Sequence, residues 1–151
     1  MTATTPALKK IKHFALEMLT RRDYSQKELA LKLQAKGYHE EDITSVLTEL
    51  TQAGYINEAR MTENYIHWRR MKGHGPEKIF MELQARGISE AMIAELLNIS
   101  DNAWFAEARK VWQKQFKNQL PSDFKTKAKQ MRFLQYRGFT REQIESVFNE
   151  E

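Results

Sequence analysis

The chain has 151 residues, with 24 Lys/Arg against 20 Asp/Glu and a net charge of +4. It contains no cysteine, which excludes disulfides and thiolate metal sites and suits a cytoplasmic protein. No apolar run is long enough to span a membrane, and Met1 to Ala7 is polar, lacks a signal-peptide core and reads as a disordered tail.

Helical periodicity starts at Leu8, Ile11, Ala15, Met18 and Leu19. A second helix is expected from Ser25 to Lys36, opened by the capping-box pair Ser25 and Glu28. A third runs from His39 to about Ala53 and stops at Gly54. Asn57 caps a fourth helix, which passes Tyr65 and Trp68 and ends at Lys72-Gly73-His74-Gly75-Pro76. Pro76 suits the first position of a fifth helix ending at Arg86, and Ser89 opens a sixth reaching Asn98. Ser100 or Asp101 caps the seventh, and Leu120-Pro121-Ser122 separates it from an eighth starting near Asp123. Thr140 and Gln143, again at capping-box spacing, open the last helix, to Asn149. No alternating β pattern or Asn-Gly turn occurs.

These nine helices form three copies of one unit. The phrase Leu33-Gln34-Ala35-Lys36-Gly37-Tyr38 recurs as Leu83-Gln84-Ala85-Arg86-Gly87-Ile88 and as Leu134-Gln135-Tyr136-Arg137-Gly138-Phe139. Each copy is followed at the same distance by Ile43, Ile93 or Ile144. The basic residue complements a helix C-terminus, the glycine takes the left-handed stop, and the apolar residue after it folds back as in a Schellman motif. The chain therefore reads as all-α, an elongated array of three tandem three-helix repeats: 8–54, 55–99 and 100–151, after the tail 1–7. Units this short are marginal alone, so neighbours must share buried surface.

Catalysis finds little support. His13, His39, His67 and His74 make no zinc pattern, no serine has a nucleophile-elbow context, and Glu40-Glu41-Asp42 merely opens a helix. No cofactor is implied. The charge distribution says more: ten Lys/Arg stand between Arg109 and Arg141 against one acid, Asp123. That asymmetry points to a polyanion or an acidic protein surface. Lys110, Lys114 and Lys117 lie opposite an apolar face of Trp104, Phe105, Ala108, Val111, Trp112 and Phe116, with acids too scarce to neutralise them. Lys125, Lys129, Arg132 and Tyr136 form a second stripe, cations for phosphate with an aromatic that could stack on a base. Its counterparts Glu28, Leu31, Ala35 and Lys78, Met81, Ala85 show that the fold does not need it. Arg69, Arg70 and Lys72, beside an exposed turn, are the third candidate group. Trp68, Trp104 and Trp112 are read as packing residues rather than a binding platform.

Gly54-Tyr55-Ile56-Asn57-Glu58-Ala59-Arg60, then Lys72-Gly73-His74-Gly75-Pro76, Ile79, Glu82-Leu83 and Arg86-Gly87-Ile88, resemble the RecX family. Tyr24-Ser25-Gln26-Lys27-Glu28-Leu29 is similar to that family's first unit, and Arg132 to Phe139 to its last, so the resemblance spans about Leu8 to Asn149. Met61 stands where phenylalanine is usual and Asn57 where aspartate is; both are mild swaps. The resemblance implies a nonenzymatic regulator. It would bind the RecA filament on single-stranded DNA along its groove, inhibit ATPase and strand exchange, and block filament growth. A cytoplasmic monomer and no membrane partner are expected. Two rivals remain: a direct DNA-binding protein of helix-turn-helix type, which the scarcity of Asn/Gln beside the basic stripe disfavours, and a scaffold for an acidic protein.

Overall fold

The structure, a computed structural model, describes residues 5–149. Nine helices and no strand occur among them: α1 (Thr5–Leu19), α2 (Gln26–Ala35), α3 (Glu40–Gln52), α4 (Glu58–Met71), α5 (Pro76–Ala85), α6 (Glu90–Leu97), α7 (Ala103–Phe116), α8 (Phe124–Arg137) and α9 (Arg141–Phe148). Helix α1 starts at Thr5, inside the stretch expected to be a tail, and the rest of that stretch lies outside the described residues.

Side-chain capping operates at five helix starts, whereas His39 and Gly75 begin α3 and α5 without a side-chain cap. Ser25 and Thr140 form complete capping boxes, and the side chains of Asn57, Ser89 and Asp123 each accept a first-turn backbone N–H. Helix α7 differs. Its N-cap is Asn102, whose side chain makes no capping bond; Asp101 Oδ1 instead accepts from the Ala103 N–H at 2.9 Å.

Within each unit the third helix closes over the other two: α3 on α1 and α2, α6 on α4 and α5, α9 on α7 and α8. The first unit has its own core, built from Ile11, Ala15, Leu29, Leu33, Ile43, Leu47, Leu50 and Ile56. The second and third share one, running from Met61, Ile79 and Leu83 to Trp104, Trp112, Leu134 and Phe139. Each large apolar side chain so buried stabilises by roughly 1.5–3 kcal/mol. The exposed surface is 9987 Å². A compact monomer of this mass would expose about 8,000 Å². The excess fits units laid in a row.

The repeated phrase turns out to be the joint between units. The C-terminus of α5 meets the N-terminus of α2, and the C-terminus of α8 meets the N-terminus of α5. At the first joint Ser25 Oγ donates to the Arg86 carbonyl, and Glu58 accepts from the Gln26 N–H at 2.8 Å. Arg60 clasps Asp23 with contacts of 3.1 and 2.7 Å beside it. At the second, the Gly75 N–H donates to the Arg137 carbonyl at 2.6 Å and the Glu77 N–H to the Gly138 carbonyl at 2.9 Å. At this second joint the orphan donors of α5 thus satisfy the orphan acceptors of α8, with the helix dipoles aligned.

Glycine is needed at these joints for more than its backbone angle. A Cβ on Gly138 would overlap the Lys78 Cβ and backbone, and one on Gly87 would overlap the Lys27 side chain. Gly37 has the same left-handed φ of +92 as Gly87, yet nothing lies within 4 Å of its missing Cβ. Replacement by alanine is therefore expected to rank in cost. Gly37→Ala should cost about 1–2 kcal/mol from the left-handed backbone alone. Gly87→Ala should cost more, because Lys27 must shift, and Gly138→Ala most, because the Lys78 backbone cannot. Urea denaturation of the three variants checks this; equal costs would mean that helix termination, not docking, demands the glycines.

Candidate functional site: a cationic cleft between the second and third units

The second joint brings the C-terminus of α4 against α7. Between them lies a cleft of about 730 Å³, whose walls include Arg70, Met71, Lys72, Glu107, Lys110, Lys114 and Arg137. Two basic groups far apart in sequence thus face one space: Arg70 and Lys72 from the second unit, Lys110 and Lys114 from the third. Arg137, read from sequence only as part of a helix stop, is the fifth cation. Its guanidinium donates to the Gly73 carbonyl at 3.2 Å and more loosely to the Lys72 carbonyl at 3.4 Å, so it also caps α4. Its membership in the repeated phrase hid this second role.

The ten candidate residues divide by what holds them. Arg69 is a structural residue: Nε and Nη2 reach the two oxygens of Glu82 at 2.9 and 2.8 Å, and its side chain is only 16% exposed. Arg70 is half-buried, 4.6 Å from the Trp104 ring and 4.0 Å from Glu107. Lys110 pairs with the same Glu107 at 3.6 Å. The expectation of an unneutralised lysine face is corrected at Lys110 alone, because Glu107 lies two residues before the basic stretch. Lys72, Lys114 and Lys117 are exposed, and none has an ion pair among the described residues. Lys125, Lys129, Arg132 and Tyr136 all lie exposed on α8, outside the cleft lining. The Lys78 ammonium sits 4.9 Å from the Tyr136 ring, which carries that stripe across the joint onto α5.

The tryptophan reading is half right. Trp104 and Trp112 are buried, their indole N–H groups bonded to the Asn98 carbonyl at 3.2 Å and to Gln130 Oε1 at 2.8 Å. Trp68 is half exposed, contrary to the packing role expected for it. Its position on a long amphipathic helix could not show which neighbour covers it.

A half-buried polar cluster of Tyr65, Arg69 and Glu82 joins α4 to α5, with His74 near it. Burial pushes the Glu82 carboxyl up, but hydrogen bonds from Arg69 and Tyr65 outweigh it and hold the group below its ordinary range. His74 is lowered too, from its ordinary 6.5 to about 4, by burial and then by Arg69 and Lys78, which here favours the neutral form. It is therefore neutral near pH 7, with Nδ1 buried and unbonded. No group of three or more His, Asp or Glu among the described residues could hold a metal ion. No helix among them is long and apolar enough to cross a membrane.

Three three-helix units joined end to end, with a cationic cleft between the second and third, define the class as an all-α tandem-repeat protein. Family models for the first, second and third three-helix domains of RecX match residues 12–50, 57–97 and 103–148. The chain is 42% identical over 136 residues to the regulatory protein RecX of Legionella pneumophila (strain Corby), spanning 90% of this chain and 91% of that one. It is 35% identical over 149 residues to the regulatory protein RecX of Pseudomonas fluorescens (strain SBW25), spanning 99% and 96%. Its backbone matches the crystal structure of RecX from Lactobacillus salivarius with a TM-score of 0.83 over 95% of this chain and 96% of that one, at 19% identity. The chain belongs to the RecX family, whose members are named as regulatory proteins.

The Arg69–Glu82–Tyr65 centre is expected to hold α4 on α5. Glu82→Gln keeps the shape and removes the charge, and should cost about 1–3 kcal/mol at neutral pH. The sign with pH is fixed: a carboxylate whose folded pKa is lowered contributes stability above its unfolded value and loses it as pH falls through the folded one. The gap between wild type and variant should close in acid, where the wild-type carboxylate protonates. Urea unfolding at neutral and acid pH measures it; a gap that widens in acid would contradict the assignment.

Proposed function

We propose that this chain is a nonenzymatic regulator that binds the RecA filament on single-stranded DNA and suppresses its ATP hydrolysis, strand exchange and growth. The observation that carries the reading is the cleft, where Arg70, Lys72, Lys110, Lys114 and Arg137 converge with Glu107 as the one acid in its lining. A surface of that sign, continued by Lys125, Lys129 and Arg132 on α8, suits a partner with a phosphate backbone at its core. An array of linked units suits a long filament better than a small ligand, because each unit adds contacts without rebuilding the fold. Membership in a family of regulatory proteins supports the same reading. The chain acts in it as a cytoplasmic monomer.

The test is DNA-dependent ATP hydrolysis by the cognate RecA, with this protein titrated well below one per RecA subunit. A progressive fall in rate is expected. Lys110→Glu with Lys114→Glu, and separately Lys125→Glu with Lys129→Glu and Arg132→Glu, should leave helicity intact. Each set should raise the concentration needed for half-inhibition by about tenfold or more. An unchanged rate with folded wild-type protein would overturn the proposal; unchanged potency in one set of variants would remove that surface from it.

A further inference from the structure

Trp68 is 49% exposed, while Trp104 and Trp112 are 1% and 3% exposed. Its indole is nevertheless held in place. The Tyr65 ring meets it edge-on at 5.9 Å, and the Arg69 guanidinium, itself clamped by Glu82, lies 5.4 Å from the ring. A large aromatic surface that is both fixed and open gives up little side-chain entropy when something covers it.

Its position is as informative as its exposure. Successive residues of a helix turn by about 100°, so around α4 the order is Arg70, His67, Met71, Trp68, Lys72. Arg70, His67, Met71 and Lys72 line the cationic cleft; Trp68 is not part of the lining but falls between Met71 and Lys72 in that order. Met71 beside it is 74% exposed. Lys72 joins the two features, for it lines the cleft and its Nζ lies 5.6 Å from the Trp68 ring.

We propose that Trp68 is a stacking platform for an unpaired nucleobase, with the cleft cations holding the neighbouring phosphates of a single strand. This rests on the reading of the chain as a protein that works on single-stranded DNA. A groove of cations with an aromatic face at its edge is the arrangement that binds single strands without reading sequence, because every base has a π face. A duplex keeps its bases stacked on one another and offers the indole no face. An acidic protein segment would use the same cations and leave the indole without a planar partner.

The test titrates a short oligothymidylate into the protein at low salt and follows tryptophan emission, with inorganic polyphosphate and a short duplex as comparison probes. Oligothymidylate should quench the emission, since Trp104 and Trp112 are shielded and Trp68 supplies the responsive signal. Polyphosphate should compete for the cleft without quenching. Trp68→Ala should weaken oligothymidylate binding by about five- to a hundredfold. Trp68→Phe should keep most of the affinity and lose the quenching, which separates stacking from any effect of the alanine on folding. Binding without quenching, a Trp68→Ala variant that binds as tightly as wild type, or no binding of oligothymidylate at all would each overturn the proposal. Filament ATPase separates the two readings: inhibition fully retained by Trp68→Ala sinks the platform alone, and no inhibition by wild type sinks the regulatory function.

Discussion

The structure depends on one close approach: the end of a helix in one unit pressed onto the start of the equivalent helix in the unit before it. Only glycine lets the two backbones come that near at Gly138, and only then do the Gly75 and Glu77 N–H groups reach the Arg137 and Gly138 carbonyls. That contact fixes the spacing and rotation of the units. It sets the end of α4 beside α7 and so makes the cleft. Arg137 belongs to the joint and to the cleft at once, which ties the position of the cationic surface to the integrity of the array. The spine also carries its own stop. Helix α8 has 14 residues against 10 in α2 and α5, and Asp123 caps its extra turn from within the chain.

What makes the third unit different is not what makes it fold. The caps, the glycine and the isoleucine after it recur in all three units, whereas the α8 cations occupy positions filled in the other units by Glu28, Leu31, Lys78 and Met81. Stacking constrains the inner faces and leaves the outer ones free to carry binding chemistry. A repeat array can therefore place a charged surface in one unit without cost to its neighbours.

Helices, caps and the three-unit organisation were legible in the sequence because they are set within a few residues. Ser25 reaches Glu28 and Thr140 reaches Gln143 whatever the rest of the chain does. The joints were not legible, since they pair Ser25 with Arg86 and Gly75 with Arg137, and a glycine that ends a helix looks the same whether or not a neighbour presses on it. Gly37 and Gly87 share a φ of +92 and have opposite surroundings. The candidate cations show the same limit. Arg69 reads as a free cation at a helix end, yet its partner Glu82 lies on another helix; Lys110 reads as unpaired because Glu107 falls just before the basic stretch. Periodicity placed Trp68 on a helix but could not say that no element covers it.

Amide hydrogen exchange tests the joint most directly. The Gly75 and Glu77 N–H groups open helix α5, where amides ordinarily face water and exchange fast. If they donate to the Arg137 and Gly138 carbonyls, both should exchange as slowly as amides in the middle of α5. Exchange at the rate of the Glu142 amide, in the exposed first turn of α9, would mean that the units are not joined in this way, and the account of the cleft would fall with the joint.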